Sequence, residues 1–179
     1  MTPAAPRRTR FDLTPAGAAS PLAPPWSTSR WFNLPAPVAT LQPSDLRGRV
    51  LVLHSFQMLC RGCVFHGLPQ AQRIAAAFER DDVVVLGLHT VFEHHAAMTP
   101  VSLQAFLHEN RIDFPVGVDA PADDAGDPIP QTMRRYGLQG TPSLMLVDRA
   151  GRLRRTSFGA EDDLLVGAAV ATLVAEEGG

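Results

Sequence analysis

Apolar residues gather in three dense runs, and the borders of those runs predict the elements of the chain. Val50-Leu51-Val52-Leu53 opens the first, which predicts a strand over residues 50–57, buried on both faces as in a parallel sheet. Val83-Val84-Val85-Leu86-Gly87-Leu88-His89 is the second, and Ser143-Leu144-Met145-Leu146-Val147 the third. A helical pattern over residues 60–80 separates the first two. Strand, helix and strand in that order imply a right-handed crossover and a parallel pair. Pro69 falls well past the first turn of this helix, where it removes a backbone hydrogen bond and predicts a kink.

Punctuation residues set the remaining elements. Thr99-Pro100 supplies an N-cap and a proline at the first helical position, for a helix to about residue 110. Residues 114–118 read as a short extended segment and residues 121–130 as a surface loop. A short helix over residues 131–136 ends at Gly137. Asp148-Arg149-Ala150-Gly151 reads as a tight turn joining the third run to residues 152–158, an antiparallel hairpin. Glu161-Asp162-Asp163 place acids at the start of a last helix that runs to about residue 176. The pattern predicts an α/β domain with a central mixed sheet and helices on both faces.

Composition divides the chain in two. Nine of the sixteen prolines lie in the first 43 residues, mixed with Ala, Ser and Thr, a composition that cannot build a core. Residues 1–25 are therefore read as a proline- and alanine-rich tail and residues 26–179 as the domain. Trp26, Trp31 and Phe32 mark the junction and are expected to cover an edge or face of the sheet. Arg7-Arg8-Thr9-Arg10-Phe11 superficially suggests a twin-arginine export signal. Pro15, Pro21, Pro24 and Pro25 interrupt the hydrophobic region that should follow, so a cytoplasmic location is expected. A net charge of −2 gives no general electrostatic case for nucleic acid or an anionic membrane. No apolar run approaches the roughly 20 residues that cross a bilayer.

The chemistry concentrates at Cys60-Arg61-Gly62-Cys63, which holds both cysteines of the chain. The spacing brings two sulfurs within disulfide reach at the start of a helix. Unpaired N–H groups and the positive end of the helix dipole there favour a thiolate on Cys60. Arg61 adds a positive charge beside it. Two cysteines are too few for a secreted disulfide framework, and C-x-x-C beside a strand–helix–strand pattern points to redox chemistry.

With Cys60-x-x-Cys63 after a strand and Gly140-Thr141-Pro142 before a hairpin, the chain resembles the thioredoxin superfamily, most of all its TlpA-like and redoxin branch. Leu46-Arg47-Gly48-Arg49-Val50 looks like that branch's lead-in to the first core strand, and the stretch between Val83 and Val118 like its inserted helix and strand. The likeness covers roughly residues 45–175. It implies a thioredoxin-like fold in which Pro142 is a cis-proline facing the cysteines and, with Thr141, binds substrate backbone. It implies a thiol–disulfide oxidoreductase that needs no cofactor and no metal, with Cys60 as nucleophile and Cys63 as resolving thiol. Its partners would be a protein or small-molecule disulfide and an upstream thiol or thioredoxin-type electron donor. The sequence departs from the family at Leu59, where tryptophan is common, at Arg61-Gly62, and at Pro69, one residue later than the usual kinking proline. His54 stands near a position that is often acidic or asparagine. It and Arg61 are candidate modulators, His54 as an acceptor for the Cys63 proton.

Two alternatives stay open on the residues alone. One is a copper or other metal site using Cys60, Cys63 and a loop histidine, His94 or His95. Zinc wants about four ligands, and His66 is expected to face away from Cys60. The other is a peroxiredoxin-like peroxidase, although Pro-x-x-x-Thr-x-x-Cys fits neither cysteine. Glu93, His94 and His95 read most simply as a solvated loop, and the acids from Asp119 to Asp127 as surface.

Overall fold

The computed structural model describes residues 13–15, 20–124 and 126–176. The three apolar runs become adjacent strands in the middle of one six-stranded sheet. Its strands are β1 (Thr28–Phe32), β2 (Val50–Phe56), β3 (Val83–His89), β4 (Val116–Asp119), β5 (Ser143–Val147) and β6 (Leu153–Phe158), in the order β1-β4-β3-β2-β5-β6. β2, β3 and β4 run parallel, whereas β1, β5 and β6 pair antiparallel with their neighbours. Every residue of β2 and β5 is buried.

Alternation along the strands feeds two cores. Val50, Val52 and Phe56, with Val83 and Val85, pack on residues of α1 (Leu68–Ala77), α2 (Pro100–Glu109) and α4 (Asp163–Ala175). Leu51, Leu53, Leu86 and Leu88 pack on Trp26 and on Met133 of α3 (Gln131–Arg135). The predicted mixed sheet with helices on both faces is therefore present. Thr99, the expected N-cap, accepts a hydrogen bond from the Ser102 N–H (3.2 Å), and Asp162, one of the acids expected at the start of the last helix, accepts one from the Leu164 N–H (2.9 Å) and caps it.

Three features differ from the sequence reading. β1 was not foreseen as a strand, because Thr-Ser-Arg-Trp-Phe lacks a clean alternation; it forms by pairing with β4 at the edge of the sheet. Trp31 then packs on one core and Phe32 on the other. Asp119 is not a surface acid. It is buried, and its oxygens accept the Thr132 N–H (2.8 Å), the Met133 N–H (3.0 Å) and the Thr90 hydroxyl (2.8 Å), capping α3 from a distant strand.

The third is the segment after Cys60, where a kinked helix was expected. Arg61 and Gly62 begin it, Cys63–Gly67 form a π turn closed by the Leu68 N–H on the Cys63 carbonyl, and α1 follows. A π turn holds one residue more than an α turn. It accommodates a proline placed one residue late, and Pro69, with no N–H to donate, sits in the first turn of α1.

The far edge of the sheet is held by the segment before Trp26. Thr14 and Ala23 donate their N–H groups to Arg154 and Gly151, and Leu22 bridges to Arg152. Arg154, buried in β6, donates to Asp148 (3.2 Å) and to Glu176 (2.9 Å), tying the hairpin turn to the end of α4. Among the described residues, no helix is long and apolar enough to cross a membrane.

Candidate active site

Strand direction decides where the chemistry collects. The parallel strand β2 ends at Phe56 and the antiparallel strand β5 begins at Ser143, in register beside Ser55. The segments carrying Cys60 and Thr141-Pro142 leave that same edge, where open α/β sheets bind their ligands. The Thr141–Pro142 peptide is cis.

The two sulfurs are unequal. Cys60 is partly exposed, whereas Cys63 is fully buried, and both are free thiols. The Cys60 thiol donates to the Thr141 carbonyl (3.4 Å), and the Cys63 N–H donates to the Cys60 sulfur (3.3 Å). That N–H lies in the first turn of the helix, so a helical donor does meet Cys60 as the spacing predicted. Burial pushes the Cys63 thiol up to about 12, and a hydrogen bond to Cys60 adds to the rise. The Gln57 backbone and the Thr141 hydroxyl, which also contact Cys63, act in the opposite direction. Thr141 thus meets the Cys60 thiol through its carbonyl.

Two glycines let the helix come this close. A Cβ on Gly62 would stand 3.0 Å from Pro142 Cδ and 3.9 Å from the Cys60 sulfur. Gly62 thus gives Pro142 room beside the cysteines. A Cβ on Gly67 would fall 2.1 Å from His54 Nε2 and 3.2 Å from Pro142 Cβ. His54 therefore lies beneath the helix, between its π turn and Pro142. Its ring is buried, neither nitrogen has a hydrogen-bond partner among the described residues, and burial lowers its pKa to about 4.

Other candidates lie outside this cluster. The Arg61 guanidinium stands over the Phe65 ring, 5.8 Å from its centroid. His94 and His95 are exposed in the loop after β3. Among the described residues no three His, Cys, Asp or Glu side chains gather as a metal site, so the copper reading finds no ligand set. Sequence reasoning missed Gln57, whose side-chain amide donates to the Thr141 hydroxyl (3.4 Å) beneath the sulfurs. Its one signal was an amide at the end of the first predicted buried strand, three residues before Cys60. Gly67 gave no signal at all.

No family model matches the chain, and no curated protein does. Solved structures do. The thioredoxin-like superfamily protein SPOA0173 is 56% identical over 88% of this chain and 99% of its own, with a TM-score of 0.82. A thiol-disulfide isomerase from Corynebacterium glutamicum is 46% identical over 88% of this chain and 98% of its own, with a TM-score of 0.80. A putative thiol:disulfide interchange protein DsbE from Chlorobium tepidum, 20% identical over 87% of this chain and 96% of its own (TM-score 0.67), shares the fold. On the first two likenesses and the site just described, the chain belongs to the thioredoxin-like superfamily, as one of its thiol–disulfide oxidoreductases.

Proposed function

We propose that the enzyme exchanges disulfides through Cys60 and Cys63, with Thr141 and Pro142 holding the substrate and His54 and Arg61 modulating the pair. Cys60 as thiolate attacks one sulfur of a substrate disulfide. The S–S bond breaks, the departing thiolate takes up a proton, and Cys60 is left in a mixed disulfide. Cys63 then loses its proton and attacks the Cys60 sulfur. The second substrate thiolate leaves, and a Cys60–Cys63 disulfide remains. The substrate has gained two electrons and two protons, and an upstream dithiol donor resets the pair. No cofactor enters the cycle. In a reducing cytoplasm the net direction is reduction of the partner.

The observation that carries this reading is the asymmetry of two neighbouring thiols, with the Cys63 N–H donating to the Cys60 sulfur. The partly exposed one can meet a guest, and the buried one can meet only its neighbour. Thr141 precedes Pro142 at the mouth, where its backbone can pair with a substrate segment as an added strand. His54 is a buried imidazole against Gly67, close to Pro142, and its proposed part is to take up the Cys63 proton during resolution. The test is a pair of variants. Cys60→Ser should abolish disulfide reduction, and Cys63→Ser should accumulate a mixed disulfide that mass spectrometry maps to Cys60. Trapping through Cys63 in Cys60→Ser, or peroxide turnover faster than disulfide turnover, would overturn it.

A further inference from the structure

The pairing of β3 with β4 stops halfway down β3. β4 first meets it at Val116, beside Gly87, and the Gly87 N–H donates to the Pro115 carbonyl (2.9 Å). Main-chain groups of a parallel strand face the same neighbour at every second residue, so the N–H and C=O of Val85 point to that side as well. Pro115 has no N–H to offer them, and among the described residues the pairing goes no further. Val83, Val84 and Val85 thus form a short open edge inside the sheet, at the end remote from the cysteines.

A cavity of about 500 Å³ lies against this edge. Val83, Val85 and Phe114 give it apolar walls, and α1 borders it with Ala75 and Ala76, whose short side chains leave the space clear. Two cations, Arg49 and Arg80, complete the border. Arg49 is half-buried, and among the described residues no carboxylate lies within ion-pair reach of it. Asp113 comes only within 3.9 Å of Arg80, and both side chains are largely exposed, so that pair contributes little. The cavity therefore presents three unmet contacts: main-chain groups that need partners, an apolar hollow, and a guanidinium without an anion.

We infer that this cavity binds the carboxyl-terminal end of a peptide whose last residue is apolar. The side chain fills the hollow, the main chain bonds to Val85 where β4 does not, and the terminal carboxylate meets Arg49, with Arg80 beside it. A fatty acid would satisfy Arg49 and the apolar walls but leave the Val85 groups unpaired. A peptide amide would do the reverse and leave Arg49 without an anion. Neither cysteine borders the cavity, and the inference does not rest on the exchange proposed for them.

The test titrates acetyl-Ala-Phe, as free acid and as carboxamide, and decanoate into the isotope-labelled full chain, and follows its amide and methyl resonances by NMR. The free acid should shift Ala75, Val83 and Val85 saturably and bind at least about tenfold more tightly than the carboxamide, the size of a hydrogen bond to a charged group. Arg49→Gln should weaken the acid to the level of the carboxamide. Arg30→Gln, which removes an exposed arginine of β1, should leave both affinities where they were. The acid and the carboxamide are compared on the unaltered chain, so that comparison decides the matter even if Arg49→Gln fails to fold. No saturable shift, equal binding of acid and carboxamide, decanoate binding as tightly as the acid, or shifts centred on Cys60 and Thr141 would each overturn the inference.

Discussion

Two groups of buried polar atoms, one toward each end of the sheet, are satisfied to different degrees. At the hairpin end, Arg154 is buried yet fully engaged: Asp148, Glu176 and the Thr14 carbonyl all accept from it. At the cysteine end, both nitrogens of His54, the Ser55 hydroxyl, the Gln57 side-chain oxygen and His89 Nε2 are buried without partners among the described residues. A buried polar atom left unpaired costs about 1–3 kcal/mol. One end therefore contributes stability, and the other gives some of it up beside the reactive sulfurs. The role proposed for His54 would account for its part of the difference, since a proton acceptor whose lone pair is already engaged cannot accept a proton.

Breaking the paired end should have the largest effect. Arg154→Ala strands Asp148 in a buried site and releases Glu176 at the end of α4. Loss of one partner from such a network costs about 4 kcal/mol, to be read by urea denaturation at pH 7. A loss below about 1 kcal/mol would mean that the ion pairs are already solvated and that the contrast between the ends is false. At the other end the sensitive position is the interlock of Gly67 and His54. Gly67→Ala puts a methyl 2.1 Å from a buried ring and should cost about 3 kcal/mol. Combining it with His54→Ala should recover about 2 kcal/mol of that, a coupling that a double-mutant cycle isolates.

The paired end and the site were not equally legible in the sequence. Apolar runs marked the central strands because β2, β3 and β5 lie between two cores, and burial on both faces leaves a continuous signal. Cys60 and Cys63 were visible because rare residues at a fixed spacing carry their own chemistry. β1 escaped because an edge strand takes its order from its neighbour rather than from its own pattern. Asp119 looked like one more acid of a surface loop, since the helix that it caps begins twelve residues later in the chain. Gly67 meets His54 and Pro142 across the fold, a contact that no local pattern records.

Acid should separate the two ends by the pH at which each fails. His54 and His89 are both lowered to about 4 by burial, from an ordinary 6.5. Their unfolded forms take up protons below pH 6.5, while the folded forms wait until about pH 4. Stability at the cysteine end therefore falls through that interval as the solution is acidified. Each histidine should cost about 2 kcal/mol between pH 7 and pH 5. Glu176 behaves differently: its hydrogen bond to Arg154 holds the carboxyl below its ordinary 4.5, so its contribution is intact above that value and goes only as pH falls further. Urea midpoints at pH 7, 6 and 5 should therefore track mainly the histidines, with Asp119, whose carboxyl burial raises, acting in the opposite sense, and His54→Leu should remove about half of the histidine slope.

His54→Leu should also have the smallest and most instructive effect at pH 7, because its sign divides the two explanations of the ring. If the imidazole is kept for packing, the protein loses stability, since leucine cannot fill a slot shaped between Gly67 and Pro142. If the imidazole is kept for proton transfer, removing two unpartnered nitrogens should stabilise the fold by about 1 kcal/mol. The second outcome is expected, with a change that stability alone does not show. Attack of Cys63 on the mixed disulfide should slow by at least about tenfold in stopped-flow, while the first attack by Cys60 keeps its rate. A stabilised variant with an unaltered second step would make His54 a cost with no return at the site. A destabilised one would move it to the paired side of the comparison, as a ring held for its shape.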